Sequence, residues 1–224
     1  LPALLVHVHG GPTGAARRQL QLTTAFWTSR GVAVVDVDYR GSTLYGRHYR
    51  HSLSGGWGEL DVIDCVAAAR HLADSGRVDP DRLVIAGGSA GGLTVLNALI
   101  HHDVFSGGIC RYGVTDLAAL ASDTHKFEAR YLDRLVGVLP ADAGLFAERS
   151  PVAHVDRIEA PMLVMQGLDD AVVPPSQSEA IVAALESNGV PVTYLEFAGE
   201  GHGFRAAATI VAALEAELEF MDTL

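Results

Sequence analysis

One serine of this chain lies in a sequence that is typical of an activated nucleophile. Ser89 is the central residue of Gly87-Gly88-Ser89-Ala90-Gly91, which follows the apolar run Leu83–Ala86 and precedes a helical pattern from Leu93 to Ile100. A strand that passes through Gly-x-Ser-x-Gly into a helix turns sharply, leaves the serine oxygen exposed, and needs small neighbours to close. We predict that Ser89 is a catalytic nucleophile. The alternative is a glycine-rich turn with an inert serine.

A serine hydroxyl is a poor nucleophile at neutral pH and needs a base, which a carboxylate must orient. His202 is flanked by glycines in a segment that follows the last predicted strand and precedes the last predicted helix. Asp169 and Asp170 follow the strand before it, and either carboxylate could hold the imidazole. The order serine, aspartate, histidine is the order of the α/β-hydrolases. The alternative is a turn aspartate and a loop histidine without a joint role.

Developing negative charge on a substrate oxygen needs backbone N–H donors aimed at it. Ala90, directly after the serine, supplies one predicted donor, and Gly11 in the segment His7-Val8-His9-Gly10-Gly11-Pro12 supplies the second. His7 and His9 could also suggest a metal pair, but no third ligand of suitable spacing accompanies them. We therefore predict no metal and no cofactor.

Six apolar runs predict β-strands that alternate with helices. Several runs are apolar without alternation, which is typical of strands buried on both faces of a parallel sheet. Helices are predicted from Leu20 to Arg30 and from Glu59 to Ser75, and Ser176 with Glu179 forms a capping-box pattern before another. The alternation predicts an α/β fold with a doubly wound, mostly parallel sheet, whose ligands bind beyond the carboxyl ends of the strands. The predicted strands are Leu4–Val8, Val32–Val37, Leu83–Ala86, Gly108–Tyr112, Met162–Gln166 and Val192–Phe197.

The long connection from Thr115 to Pro151 departs from the short connections elsewhere. Helical pieces are predicted within it at Phe127–Leu135 and Ala141–Arg149, so we expect an inserted cap over the site. Arg111 and Tyr112, at the end of a strand, are expected to line the pocket with it.

Composition excludes several function classes. The chain has 224 residues, 49% of them hydrophobic and 19% charged, with a net charge of −11, so it is globular and lacks the basic surface of a nucleic-acid binder. The apolar runs are strand-sized, so no membrane partner is predicted. Cys65 and Cys110 have no metal-ligand spacing and are read as buried thiols, which fits a cytoplasmic location.

Seven short segments follow one another along the chain in an order that is informative when they are taken together. They are His9-Gly10-Gly11-Pro12, Asp38-Tyr39-Arg40-Gly41-Ser42, Tyr45-Gly46-Arg47, Gly56-Trp57-Gly58, Gly87-Gly88-Ser89-Ala90-Gly91-Gly92, Gln166-Gly167-Leu168-Asp169-Asp170 and Gly201-His202-Gly203-Phe204. Together they resemble the catalytic domain of the prolyl oligopeptidase family of serine peptidases, and most closely its acylaminoacyl-peptidase and dipeptidyl-peptidase-like members. The resemblance covers nearly all of the chain.

The resemblance implies a role for each site residue. Ser89 matches the nucleophile, His202 the general base, and Gly11 and Ala90 the oxyanion donors. The family's aspartate stands three residues after the glycine of a G-x-x-D pattern, and this position is Asp170 rather than the residue before it.

Three positions depart from the family's pattern. Leu44 stands where glycine is usual, and Leu93 where an aromatic residue is frequent. Val172 stands where the family's dipeptidyl peptidases place asparagine, which argues against strict dipeptidyl-peptidase specificity.

The resemblance implies a serine peptidase that hydrolyses short peptides, as an acylaminoacyl-peptidase or oligopeptidase does. A carboxylesterase on the same fold is the alternative, and a catalytically inactive binding module a third. Residues 1–224 are expected to form one α/β-hydrolase domain that lacks the first strands of the fold. We expect it to be the C-terminal part of a longer chain with an upstream β-propeller. Oligomeric state is left open.

Overall fold

A six-stranded, fully parallel sheet forms the centre of the computed structural model, which describes residues 1–123 and 130–224. The strand order is β2-β1-β3-β4-β5-β6, so the chain runs outward from β1 in one direction and then back past it in the other. The predicted doubly wound sheet is confirmed, and each predicted strand lies within two residues of an observed one. The strands are β1 (Leu4–Val8), β2 (Ala33–Val37), β3 (Leu83–Gly88), β4 (Gly107–Arg111), β5 (Met162–Gly167) and β6 (Val192–Phe197).

Helices cover both faces of the sheet. The described residues contain α1 (Leu22–Thr28), α2 (Gly46–His51), α3 (Leu60–Asp74), α4 (Ala90–His101), α5 (Leu117–Asp123), α6 (Tyr131–Leu135), α7 (Ala143–Arg149), α8 (Pro175–Ser187) and α9 (Ala207–Asp222). Short 3₁₀ turns lie at Pro151–Ala153 and Val155–Arg157. The predicted helix from Leu20 to Arg30 is shorter than expected, because only Trp27 within it is buried. The predicted capping box is wrong, since α8 begins at Pro175 without a side-chain cap.

The core has two parts, one on each side of the sheet. The larger part packs the strands against α3, α4 and α8, and the smaller one packs Trp27, Ala213 and Phe220 of α1 and α9 against the opposite face. Every residue of β5 is buried, which explains why its run Met162–Met165 is apolar without alternation. Parallel strands that end at the same edge bring their following loops together there.

The described residues of the predicted insertion lie over that edge. Tyr131 of α6 hydrogen-bonds through its hydroxyl to Thr13 Oγ1 at 2.7 Å, and Leu132 lines a cavity that contains Ser89. Residues 127–129 of the predicted piece lie outside the described part of the chain; the rest corresponds to α6. None of the described helices combines the length and apolarity needed to cross a bilayer.

Leu44 keeps the backbone conformation that glycine favours, although its side chain is that of leucine. Its φ is +75°, and the side chain is 71% exposed. A left-handed backbone costs an L-residue about 1–2 kcal/mol. The departure from the family's pattern therefore carries a local backbone strain.

Candidate active site

Ser89 lies at the turn between β3 and α4 with φ +56° and ψ −126°, a strained conformation for a residue with a side chain. Packing explains the glycines around it. A Cβ at Gly87 would lie 2.6 Å from the Gly91 carbonyl oxygen, and one at Gly91 would lie 2.5 Å from that of Val8. The Ser89 N–H donates to the Arg111 carbonyl at 3.1 Å. The predicted strand–turn–helix geometry is thus held by close backbone contacts on three sides.

The side chains of Ser89, His202 and Asp170 form one hydrogen-bonded chain. Ser89 Oγ lies 2.9 Å from His202 Nε2, and His202 Nδ1 lies 2.8 Å from Asp170 Oδ2. A carboxylate only accepts hydrogen bonds, so Nδ1 carries the proton and Nε2 is left to accept from the serine hydroxyl. The structure therefore brings together three residues that are far apart in the sequence, with 113 positions between Ser89 and His202.

Asp170 rather than Asp169 reaches the imidazole. Asp169 is exposed, whereas Asp170 is buried and its Oδ1 accepts from the amides of Val172 and Val173 at 2.8 and 3.0 Å. Burial acts to raise the pKa of Asp170, but the hydrogen bonds from His202 and from the two amides outweigh it and lower that pKa below its ordinary value. Asp170 is thus an ionised partner for the imidazole, and two backbone amides hold it in place.

Glu200 fixes the loop that carries His202, a role that sequence reasoning missed. Its carboxylate accepts from the amides of Arg205 and Ala206 at 2.9 and 2.8 Å, which lowers its pKa. Its side chain is 4% exposed. A glutamate in a Gly-x-Gly loop just before a helix is the available signal, because unsatisfied N–H groups at a helix start attract carboxylates.

The segment that contains Gly11 approaches the serine from β1. Gly11 has φ +122°, and a Cβ at Gly10 would lie 3.4 Å from that of Ser89. The buried Tyr39 hydroxyl holds the segment by donating to the carbonyls of His9 and Pro12, each at 3.0 Å. Across the cleft, Ala90 is the first residue of α4, where N–H groups lack a partner within the helix. Both predicted oxyanion donors thus flank Ser89.

His7 and His9 have separate partners, which argues against the metal pair. His7 Nδ1 lies 2.6 Å from Asp36 Oδ1, whereas His9 Nδ1 donates to the Gly10 carbonyl at 2.8 Å and its Nε2 lies 2.7 Å from Ser42 Oγ. Within residues 1–123 and 130–224, no group of three or more histidine, cysteine or acidic side chains could hold a metal ion.

Two cavities of about 350 Å³ each meet at Ser89 and His202. The first, here called the apolar cavity, is lined by Gly11, Trp57, Ser89, Ala90, Val114, Leu120, Tyr131, Leu132, Val172, Val173 and His202. The second, the polar cavity, is lined by His7, Val8, His9, Gly10, Ala15, Ala16, Arg17, Gln21, Asp36, Gly88, Ser89, Arg111, Tyr112 and His202. The expected lining residues Arg111 and Tyr112 thus face the polar cavity, and the insertion faces the apolar one.

Comparison with curated proteins gives relatives with peptidase names. Dipeptidyl aminopeptidase BIII of Pseudoxanthomonas mexicana is 33% identical over 207 residues, which are 90% of this chain and 30% of that protein. The acylamino-acid-releasing enzyme of Arabidopsis thaliana is 31% identical, over 89% of this chain and 27% of that protein. The chain thus spans less than a third of the length of these relatives.

Solved structures share the fold closely. A puromycin-hydrolyzing peptidase of Mycobacterium tuberculosis superposes with a TM-score of 0.98 at 50% identity, over 100% of this chain and 34% of that one. An acylaminoacyl peptidase superposes with a TM-score of 0.90 over 99% of this chain and 37% of that one, and its 24% identity supports the shared α/β-hydrolase fold alone. The family model of the prolyl oligopeptidase family matches residues 18–224, and the chain belongs to that family.

Proposed function

We propose that this protein is a serine peptidase that hydrolyses short peptides through an acyl-enzyme on Ser89. The observation that carries the proposal is the continuous hydrogen-bonded chain from Ser89 Oγ through His202 to Asp170, with contacts of 2.9 and 2.8 Å. Family membership supports it, as do relatives named dipeptidyl aminopeptidase and acylamino-acid-releasing enzyme.

In the proposed first half-reaction, His202 Nε2 removes the hydroxyl proton as Ser89 Oγ attacks the substrate carbonyl. Asp170 stabilises the imidazolium that forms and keeps Nδ1 protonated. The imidazolium then donates its proton to the leaving nitrogen, the C–N bond breaks, and the acyl group remains on Ser89. In the second half-reaction His202 activates a water molecule in the same way, which releases the acid and restores the serine.

The charge that develops on the carbonyl oxygen needs donors fixed before the reaction begins. We assign this role to the amides of Gly11 and Ala90. Both residues line the apolar cavity together with Ser89 and His202, as a substrate carbonyl between them requires. The hydroxyl of Tyr39, which ties down the carbonyls on either side of Gly10 and Gly11, keeps the Gly11 amide from turning away.

The apolar cavity favours a substrate whose reacting residue carries an aliphatic or aromatic side chain. Apart from His202, its lining side chains are uncharged, and its volume of about 350 Å³ accommodates a large side chain. The neighbour at 50% identity is named a puromycin-hydrolyzing peptidase, which supports amide hydrolysis. Val172, at the cavity wall, supports a specificity other than strict dipeptidyl release.

The test compares the natural full-length protein with two serine variants. We expect a fluorophosphonate probe to label the protein at Ser89 and peptide amides with an apolar reacting residue to be cleaved. Ser89→Ala is expected to lose the labelling and to lower kcat by about 10⁴-fold or more. Ser187→Ala, at an exposed serine of α8, is the matched control and should retain both.

Two outcomes would redirect the assignment. Ester hydrolysis without measurable cleavage of peptide amides that carry the same acyl group would replace the peptidase with a carboxylesterase. Failure of the full-length protein to react with the probe would favour a catalytically inactive binding module.

A cytoplasmic location is part of the same proposal. Cys65 and Cys110 are free and buried, which is compatible with a reducing compartment. The upstream β-propeller stays a prediction.

A further inference from the structure

The two cavities divide the substrate between them. The Gly11 and Ala90 amides line only the apolar cavity, so a carbonyl oxygen bound to them places its acyl group there. Ser89 and His202 line both cavities, and His202 must deliver its proton to the leaving nitrogen. The leaving group therefore extends from His202 into the polar cavity.

A histidine–aspartate pair forms one wall of the polar cavity. The register of the sheet places His7 of β1 directly beside Asp36 of β2, and His7 Nδ1 lies 2.6 Å from Asp36 Oδ1. The two side chains are 39% and 27% exposed, so they are accessible from the cavity. Since the carboxylate only accepts, Nδ1 carries the proton, and in the neutral imidazole Nε2 then presents a lone pair.

Two arginines also line the polar cavity. Arg17 is exposed to solvent, whereas Arg111 is mostly buried and is already neutralised. Its guanidinium contacts Glu217 Oε1 at 2.5 and 2.6 Å, and the Glu217 side chain is 1% exposed. Because Arg111 is committed to Glu217 and the exposed Arg17 is screened by solvent, the part of the wall around His7 does not offer a site for a free carboxylate. It instead offers the acceptor nitrogen of His7, backed by the negative charge of Asp36, and so favours a hydrogen-bond donor.

We propose that His7, held by Asp36, is a leaving-group subsite that accepts a hydrogen bond from an N–H of the substrate beyond the scissile bond. The substrate class that it selects is a peptide or amide with at least one further amide N–H after the leaving nitrogen. This inference rests on the proposed acyl-enzyme mechanism and extends it to the other half of the substrate.

Acyl transfer to added amines isolates this subsite, because the acyl group is already on Ser89 when the acceptor binds. In the transfer, the amine attacks the acyl carbonyl, a C–N bond forms, and the ester C–O bond to Ser89 breaks. One amine proton passes through His202 to the serine oxygen. An N-acylated phenylalanine aryl ester would serve as donor in the full-length protein, with glycinamide and glycine methyl ester as acceptors. Both acceptors carry the same amine, but only glycinamide has an N–H beyond it.

We expect the ratio of transfer to hydrolysis to be about fivefold higher for glycinamide than for glycine methyl ester, the factor that one neutral hydrogen bond contributes. His7→Phe should remove this preference, and Asp36→Asn should reduce it while His7 stays in place. His7→Gln, which keeps an acceptor oxygen, should restore part of it. His71→Phe, at an exposed histidine of α3, is the matched control and should behave as the wild type.

The kinetics separate binding from structural damage. The rate of aryl-ester hydrolysis without an acceptor is measured for each variant as the reference for its transfer ratio, and the His71→Phe control should keep the wild-type deacylation rate. The subsite is overturned if His7→Phe keeps the preference for glycinamide, if it lowers transfer to both acceptors equally, or if the wild type transfers to neither. Absence of Ser89 labelling by the fluorophosphonate probe would instead overturn the acyl-enzyme itself.

Discussion

Asp61 offers a sharp test of how a buried charge affects this fold. It lies in the first turn of α3 with 0% exposure, and its carboxylate accepts from the Gly58 amide at 2.7 Å and from Thr94 Oγ1 at 2.5 Å. Burial disfavours the charged carboxylate and raises the pKa of Asp61 from 3.8 to about 6, although both hydrogen bonds act to lower it. Thr94 belongs to α4, and Gly58 follows Trp57 of the apolar cavity, so this contact joins two walls of the site.

The size of the effect on stability follows from the shift in the pKa of Asp61. Because the folded-state pKa is raised, the stability that Asp61 contributes is fully present below about pH 4 and is lost as pH rises through about 6. A rise of about two units corresponds to about 3 kcal/mol, of which about 2 kcal/mol falls between about pH 4.5 and about pH 8. Asp61→Asn removes this titration. Its oxygen can keep the Gly58 bond, and the Thr94 hydroxyl can turn to the Ala90 carbonyl, 3.3 Å away, to accept from the new amide.

The assay is urea unfolding of wild type and Asp61→Asn across this pH range. We expect the free energy of unfolding of the variant, relative to wild type, to rise by about 2 kcal/mol from about pH 4.5 to about pH 8. Thr94→Val removes a hydrogen bond that lowers the pKa of Asp61. When Asp61→Asn is compared with Asp61 in the Thr94→Val protein, the rise in the relative free energy of unfolding should therefore extend to higher pH. A difference between Asp61→Asn and wild type that stays constant with pH would refute the reasoning.

Three further variants test the site and its loops. Asp170→Asn keeps an oxygen for the two valine amides but turns an N–H₂ group toward His202 Nδ1. We therefore expect kcat to fall by about 10³–10⁴-fold while the thermal midpoint stays nearly unchanged. Retention of kcat would contradict the role assigned to Asp170. Gly11→Ala places a Cβ 2.5 Å from the Gly14 nitrogen, at a residue whose φ is +122°, so the Gly11 amide should shift. Steady-state kinetics should then show kcat lowered by about 10²-fold. An unchanged kcat would remove Gly11 from the oxyanion site. Leu44→Gly relieves the strain of a left-handed backbone at a residue whose side chain is exposed. We expect urea unfolding to show the protein stabilised by about 0.5–1 kcal/mol. A loss of stability would show that contacts of the leucine side chain compensate for this strain.

Features that depend on local order along the chain could be predicted from the sequence. The Gly-x-Ser-x-Gly turn lies between strand and helix as expected, because the strain at Ser89 and the close packing of its glycines are encoded within five residues. The choice between Asp169 and Asp170 could not be made from the residues alone, since both follow the same strand. It depends on which carboxylate turns inward to meet the amides of Val172 and Val173.

Features that depend on which strands become neighbours could not be predicted. His7 meets Asp36 only because β1 and β2 pair in register, and Arg111 meets Glu217 across 106 positions. Glu200 is another case, because its position within a glycine-rich segment does not show that its side chain folds back onto the start of α9. The division of the substrate region into apolar and polar cavities likewise arises from segments distant in the chain.

The burial of α4 has a consequence for how such a protein can diversify. Every residue from Ala90 to Ile100 is buried, so the helix that directly follows the nucleophile offers almost no position at which a substitution is tolerated. Ala90 is the α4 residue that lines the apolar cavity, whose side walls come from α5, α6 and the loop at Val172. New substrate preferences can therefore arise by exchange of these wall residues while the reacting groups keep their places.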